Sequence, residues 1–384
     1  MKYASIWRIW GISSSRAESL FLLLTKLPIF VPHAVAGYFC RFAYRRAIAD
    51  PGLTRLIIYP TLQCDLRCQH CFSPPGGAEL PLEFWRSISS GLAGKVEVVT
   101  ISGGEPVLFP GLGELINSLA HVGKVRKIVL PSNGGDPDRV LEVMNEVRFG
   151  AAQINFQVSI DGRRETHDAR RTAGSFERAL TTLRMVRDTF GDRLSRIAIA
   201  ATIGTDNIKD VPYLIDLAEN EGVFPMIQFV RHPKFDCFNL ADRVEIANVS
   251  AISLCPTVDE MRAVLAMADH HRPRAYRLFW LQQQRLLELA IQIREQKKRP
   301  FPCLAPFQEA VIYPNGEISF CEMSKPFAKL GPEGTDLLAF WDSPAARRTR
   351  QTLSGCVCNH PCNLTTSMTY AEDEWYWLLR QGKR

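Results

Sequence analysis

Short runs of apolar and β-branched residues recur through the middle of this chain: 55-RLIIYP-60, 95-KVEVVTI-101, 126-RKIVLP-131, 153-QINFQVSI-160, 196-RIAIAATI-203 and 225-PMIQFV-230. Helix-length segments lie between them, among them 81-PLEFWRSISSGLA-93, 136-DPDRVLEVMNEV-147 and 174-GSFERALTTLRMVRDTF-190. Strands that are almost wholly apolar are buried on both faces, and strands alternating with helices join a parallel sheet to its crossover helices. Residues 51–236 are therefore expected to form an α/β unit, either a doubly wound sheet or a partial (β/α) barrel.

The rhythm breaks after residue 236. There 257-TVDE-260 reads as a capping box, and 275-AYRLFWLQQQRLLELAIQIREQKKR-299 as a long amphipathic helix whose basic end suits its C-terminal dipole. Residues 237–302 are read as a helical bridge and 303–384 as a second, small unit. Residues 1–50 form an arm with seven Lys or Arg against Glu18 and Asp50, which accounts for most of the net charge of +6. The nearly neutral remainder argues against a nucleic-acid partner. The arm's apolar stretch contains Lys26, Pro28, Pro32 and His33, too many interruptions for a membrane span. Val35, Phe39 and Phe42 share one helical face and Arg41 and Arg45 another, so the arm either lies peripherally on the inner face of a membrane or closes the base of an open barrel.

Eleven cysteines, an odd number, cluster in two short windows with no secretory leader read ahead of them. Metal ligation in a reducing cytoplasm is expected rather than a disulfide framework. The first window, 61-TLQCDLRCQHCFS-73, puts Cys64, Cys68 and Cys71 on the loop after the first strand, at the sheet edge where α/β folds build their sites. Four thiolates would close an iron–sulfur cubane, whereas three leave one iron open, as catalytic metal sites require. A zinc site with His70 as fourth ligand, or thiols that merely pack, are the alternatives. The next three strands end in 102-SGGEP-106, 132-SNGG-135 and 158-VSIDGRRETHDARRTAGSF-176.

Together these motifs resemble the radical S-adenosylmethionine (radical SAM) superfamily. The likeness rests on the C-x3-C-x2-C loop, Gly103-Gly104-Glu105-Pro106, Asn133-Gly134, and Ser159-Ile160-Asp161-Gly162 followed by His167, Asp168 and Arg171, and it covers about 55–235. It implies an α/β fold built on a partial (β/α)6 TIM-like barrel. It also implies a catalytic 4Fe-4S cluster on Cys64, Cys68 and Cys71 whose open iron chelates S-adenosyl-L-methionine. Reductive cleavage then gives a 5′-deoxyadenosyl radical that takes a hydrogen atom from a substrate, with the electron drawn from a donor such as flavodoxin or ferredoxin. Gly103, Gly104 and Glu105 are expected near the methionyl amine, Ser159 with Arg171 near the ribose or carboxylate, and Asn133 and Asp161 among the cofactor-binding residues. His70 stands where many members carry an aromatic residue. Plainer readings exist: the glycines turn the chain, Asp161 caps the next helix, and Arg171 is a solvated charge.

In the second window, 303-CLAPFQEAVIYPNGEISFC-321 reads as a β-hairpin turning at Asn315-Gly316, which brings Cys303 and Cys321 together. The segment 355-GCVCNHPCN-363 adds Cys356, Cys358 and Cys362. This resembles the SPASM/Twitch extension of radical SAM enzymes and implies one auxiliary 4Fe-4S cluster on Cys303, Cys321 and two of the other three, with a zinc ribbon as the alternative. Cys237 and Cys255 read as buried hydrophobes. The implied function is oxidation, cross-linking or epimerisation of a peptide or protein. Alternatives are oxidation or remodelling of a sugar, nucleoside or lipid-linked glycan, and a non-enzymatic iron–sulfur carrier.

Overall fold

The computed structural model describes residues 38, 45–49, 51–71, 76–92, 94–230, 253–273, 277–331, 336–353, 357–368, 370–371, 373–374 and 377. Strands β1 (Arg55–Thr61), β2 (Val98–Gly103), β3 (Lys127–Ser132), β4 (Gln153–Ser159), β5 (Arg196–Ile203) and β6 (Phe224–Phe229) lie side by side in chain order, each parallel to the next. On the free edge of β1, β7 (Glu309–Ile312) pairs in parallel, and β8 (Glu317–Ser319) and β9 (Ala328–Lys329) continue antiparallel. With β6 at one edge and β9 at the other, the sheet is not closed into a barrel. It is the expected open, partial form.

The helices cover one face. In α1 (Leu82–Leu92) Phe84, Trp85, Ile88 and Leu92 are buried at helical spacing. After α2 (Leu112–Asn117), α3 (Pro137–Glu146) starts where the Asp136 side chain accepts from the Arg139 N–H and ends beside buried Val143 and Met144. A short α4 (Arg164–Arg170) precedes α5 (Ser175–Phe190) and α6 (Val211–Asn220). These side chains share one core with Leu56, Ile58, Val99, Ile101, Ile128, Leu130 and Phe156. Ile57 and Tyr59 point to the other face of β1, where they pack with Val311. Two-sided burial explains why the strands lack polar alternation.

The bridge helices are α7 (Val258–His270) and α8 (Arg277–Gln296). The capping box is present: Thr257 Oγ1 accepts from Glu260 N (3.2 Å) and Glu260 Oε2 accepts from Thr257 N (2.7 Å). The C-terminal hairpin turns at Asn315-Gly316, where Gly316 adopts φ +85° and Asn315 Oδ1 accepts from Glu317 N at 3.1 Å. It is hydrogen-bonded into the same sheet as the α/β unit rather than standing apart from it. Every residue of β7 is buried, so its backbone polar groups need strand partners, and β1 supplies them. Helices α9 (Pro344–Thr352) and α10 (Pro361–Met368) follow.

Most of the arm, with Val35, Phe39, Arg41 and Phe42, lies outside the described residues, as do Cys237 and Cys356. Of the arm's described residues, Ala47 is buried against Leu304, Phe307 and Tyr370. Among the described residues no helix is long and apolar enough to cross a membrane.

Candidate functional site

The loop after β1 carries Cys64 and Cys68, both half-buried, and the exposed Cys71. It is threaded under the end of β2, where Gly104 N donates to Thr61 O (3.0 Å) and Glu105 N to Gln63 O (2.7 Å). A Cβ at Gly103, which has φ +128°, would lie 2.1 Å from Thr61 O, and one at Gly104 would lie 2.2 Å from Gln63 O. Both clashes are with backbone, which cannot rotate away. The two glycines therefore set the position of the cysteine loop. Gly104→Ala should cost at least ~1–3 kcal/mol by overpacking and lower iron retention, as read by urea denaturation and iron analysis.

Glu105 is 2% exposed. Its carboxylate accepts from Asn133 N (2.6 Å) and Val107 N (3.4 Å). Burial pushes the carboxyl up to about 7, against the lowering effect of these amides and the Ser132 hydroxyl. All of these partners are neutral donors. Asn133 then ties the β3 end to the cysteine loop: Nδ2 donates to Asp65 Oδ1 at 2.7 Å and approaches Cys64 Sγ at 3.8 Å, while Oδ1 accepts from Gly135 N at 2.6 Å. Burial raises the Cys64 thiol to about 11. A metal would have to displace that proton.

From the other side, Gln69 N donates to Arg170 O and Gln69 Nε2 to Ala169 O, both at 2.9 Å, which fixes the loop to the end of α4. Asp161, fully buried just beyond β4, is the hub there. Its Oδ2 accepts from Arg171 Nε at 2.7 Å and lies 3.9 Å from Arg170 Nε, while its Oδ1 accepts from Thr202 N at 2.9 Å. Burial alone would raise this carboxyl, but the guanidinium of Arg171, backed by Arg170, holds it well below the carboxylate range. Arg171 NH1 also approaches Cys68 Sγ at 3.8 Å. His70 points its Nε2 at Asp161 (3.8 Å), and burial lowers it to about 3, so the ring is neutral. Ser159 is half-buried at the end of β4. Asp168 accepts from Gly174 N and Phe176 N, both at 2.8 Å, and so organises the start of α5.

At the opposite end of the chain, Cys303 packs on buried Cys321. The Cys321 thiol is pushed up by burial and by the neighbouring Cys358 and Cys303 sulfurs. Arg299 NH1 donates to Cys358 Sγ at 3.6 Å. Cys362 N donates to His360 Nδ1 at 3.2 Å, and the other ring nitrogen of His360 meets Glu322, whose carboxylate also accepts from Tyr59 OH. Around these thiols Arg299 Nε, Asn359 Oδ1 and both polar side-chain atoms of Asn363 are buried without a partner. A set of buried sulfurs beside unsatisfied polar atoms is the donor chemistry of a soft metal group. Among the described residues no three His, Cys, Asp or Glu side chains converge tightly enough to hold a single metal ion.

The structure thus gathers Cys64, Gly103, Gly104, Glu105 and Asn133 on one side of the loop and Cys68, Asp161 and Arg171 on the other. Sequence reasoning passed over Asp65, Arg299, Glu322 and His360. Asp65 and His360 lay inside the two cysteine windows, so their place in the sequence offered a signal. Arg299 and Glu322 join their partners only through the tertiary fold.

Residues 58–218 match the family model described as the Radical SAM superfamily. Fe-coproporphyrin III synthase of Methanosarcina barkeri is 31% identical over 44% of this chain and 41% of that protein. PqqA peptide cyclase of Methylorubrum populi is 26% identical over 45% of this chain and 44% of that protein. The matches span less than half the length of these curated relatives. Streptococcus suis SuiB, solved bound to precursor peptide SuiA, has a similar fold, with TM-score 0.56 at 15% identity over 80% of this chain and 71% of that chain. A crystal of SuiB bound to S-adenosylmethionine gives the same TM-score at 16% identity, over 80% of this chain and 72% of that one.

Proposed function

We propose that the chain is a radical SAM enzyme acting on a peptide, a reading supported by the match of residues 58–218 to the Radical SAM superfamily model. The observation that carries this reading is the convergence of the cysteine loop on a buried carboxylate, Glu105, whose partners are all neutral donors. A buried carboxyl held near 7 is one that an incoming ammonium group would ionise and pair with, and the methionyl amine is such a group. Cys64, Cys68 and Cys71 would hold the 4Fe-4S cluster. When loaded, it supplies the electron that cleaves S-adenosylmethionine to methionine and a 5′-deoxyadenosyl radical.

The residues of the chain position and shield. Gly103 and Gly104 bring the loop backbone close, Asn133 and Asp65 brace its first thiol, and the Asp161–Arg171 pair sets a positive charge beside Cys68. Arg171 is committed to Asp161, so Ser159 is the nearer choice for a ribose contact. A flavodoxin- or ferredoxin-type protein would deliver the electron. Cys303, Cys321 and Cys358, with Cys362 or Cys356 as fourth ligand, would hold one auxiliary cluster that accepts the electron left on the substrate. Two cubanes predict about eight irons per chain, with about four left when the first three thiols are removed. Stoichiometric zinc would contradict this.

The peptide reading is supported by the likeness to PqqA peptide cyclase and by the fold shared with SuiB. A second reading, a tetrapyrrole substrate, is supported by the 31% identity to Fe-coproporphyrin III synthase. The two separate when anaerobic, reduced enzyme is given S-adenosylmethionine with either a porphyrin-type precursor of iron coproporphyrin III or short peptides encoded beside the gene. The peptide reading predicts that a peptide alone raises 5′-deoxyadenosine output and changes mass. Stimulation and conversion with the porphyrin alone would replace it.

A further inference from the structure

Arg299 is buried at 7% exposure in the segment that follows α8. Its NH2 donates to Ser367 Oγ on α10 at 3.2 Å, its NH1 to Cys358 Sγ at 3.6 Å, and its Nε has no partner. Its guanidinium carbon stands 5.7 Å from the Phe301 ring centre. Among the described residues no carboxylate pairs with it. Other buried arginines are answered locally: Arg171 by Asp161, Arg170 by Asp206, and Arg350 by the Pro306 and Trp341 carbonyls.

An uncompensated buried charge is strongly unfavourable. The groups facing Arg299 are the hydroxyl of Ser367, the ring of Phe301 and the sulfurs of Cys358 and Cys303, and neutral thiols do not balance a guanidinium. A thiolate does, and the thiolate is the form in which cysteine binds metal. The charge at this position is therefore matched once the C-terminal thiols are metal-bound.

We propose that Arg299 is a positioning residue that raises the reduction potential of the group held by Cys303, Cys321 and Cys358, by donating a charged hydrogen bond to the Cys358 sulfur. The inference rests on the auxiliary-cluster reading above. Hydrogen bonds to ligand sulfurs and nearby net charge are two levers that set iron–sulfur potentials. A fixed cation favours the reduced form, which carries one more negative charge. Tuned this way, the C-terminal site would be a better acceptor for an electron leaving a substrate radical.

The test uses full-length, anaerobically reconstituted protein in which Cys64, Cys68 and Cys71 are alanine, so that only the C-terminal site gives a signal. Electron paramagnetic resonance during a potentiometric titration compares Arg299, Arg299→Gln and Arg299→Lys. At the parent's midpoint, Arg299→Gln should lower the ratio of reduced to oxidised cluster about tenfold, a one-electron shift of about 59 mV to more negative potential. Arg299→Lys, which keeps the charge but not the planar fork, should recover part of the shift. Unchanged midpoints at unchanged iron content overturn the inference. So does loss of iron in both variants, which would make Arg299 a structural support. If the parent itself holds no iron, the auxiliary-cluster reading fails first, and this inference with it.

Discussion

Replacing Cys64, Cys68 and Cys71 together by alanine should reduce 5′-deoxyadenosine formation to the reductant-only background, a loss of at least about a thousandfold, because ligands acting as a unit are not replaceable one by one. Each single replacement should cost nearly as much as the triple. The reason lies in the mounting of the loop: it is pinned under Gly103 and Gly104 at one end and to the α4 carbonyls through Gln69 at the other. It therefore has little freedom to recruit another donor. His70, the nearest spare ligand in sequence, is turned toward Asp161. The sheet core packs independently of the thiols, so the triple variant should remain folded and keep about half of its iron. Residual cleavage of S-adenosylmethionine by the triple variant would remove the catalytic cluster from this loop.

Asp161→Ala should destabilise the chain by about 3–5 kcal/mol, because it leaves the buried Arg171 guanidinium without its carboxylate, while Arg170 keeps Asp206. Asp161→Asn should cost nearly as much, since shape is kept and charge is lost. The folded carboxyl lies below its unfolded value of about 3.9, so its stabilisation is fully present at neutral pH and is lost as the pH falls below about 4. In Asp161→Asn that part of the acid-unfolding limb should shrink. Urea denaturation at pH 7 and through the acid range checks both effects. A loss under about 1 kcal/mol at pH 7 would show that the hub is solvated and dispensable.

The parallel part of the sheet was legible because strands buried on both faces cannot alternate polar and apolar residues. β5 begins and ends where its apolar run does, at Arg196 and Ile203. The capping box at Thr257 and the hairpin turn at Asn315-Gly316 were legible because each is local backbone chemistry. The pairing of β7 with β1 was not, since Arg55 and Glu309 meet across most of the chain and neither run marks the other as its partner. At the site, the three cysteines and the other strand-end motifs lie on the segments that follow β1, β2, β3 and β4, as their positions in the sequence imply. What the sequence hid is how they are joined. Asp161 and Arg171 read as cofactor contacts, with a helix cap and a solvated charge as the plainer readings, but neither reading shows that Asp161 is a buried hub for two arginines or that Arg171 sits between that hub and Cys68. Glu105 is an ordinary glutamate in sequence, and only burial beside neutral donors lifts its carboxyl.

Whether the three-thiol loop holds an iron that binds S-adenosylmethionine directly is read by electron–nuclear double resonance. The full-length protein, loaded and reduced, would be measured with S-adenosylmethionine labelled with nitrogen-15 in its amine and oxygen-17 in its carboxylate. Direct coordination predicts hyperfine coupling to both labels, lost in the Cys64/Cys68/Cys71 alanine variant and weakened in Glu105→Gln. A spectrum unchanged by S-adenosylmethionine in protein that carries both clusters would contradict it.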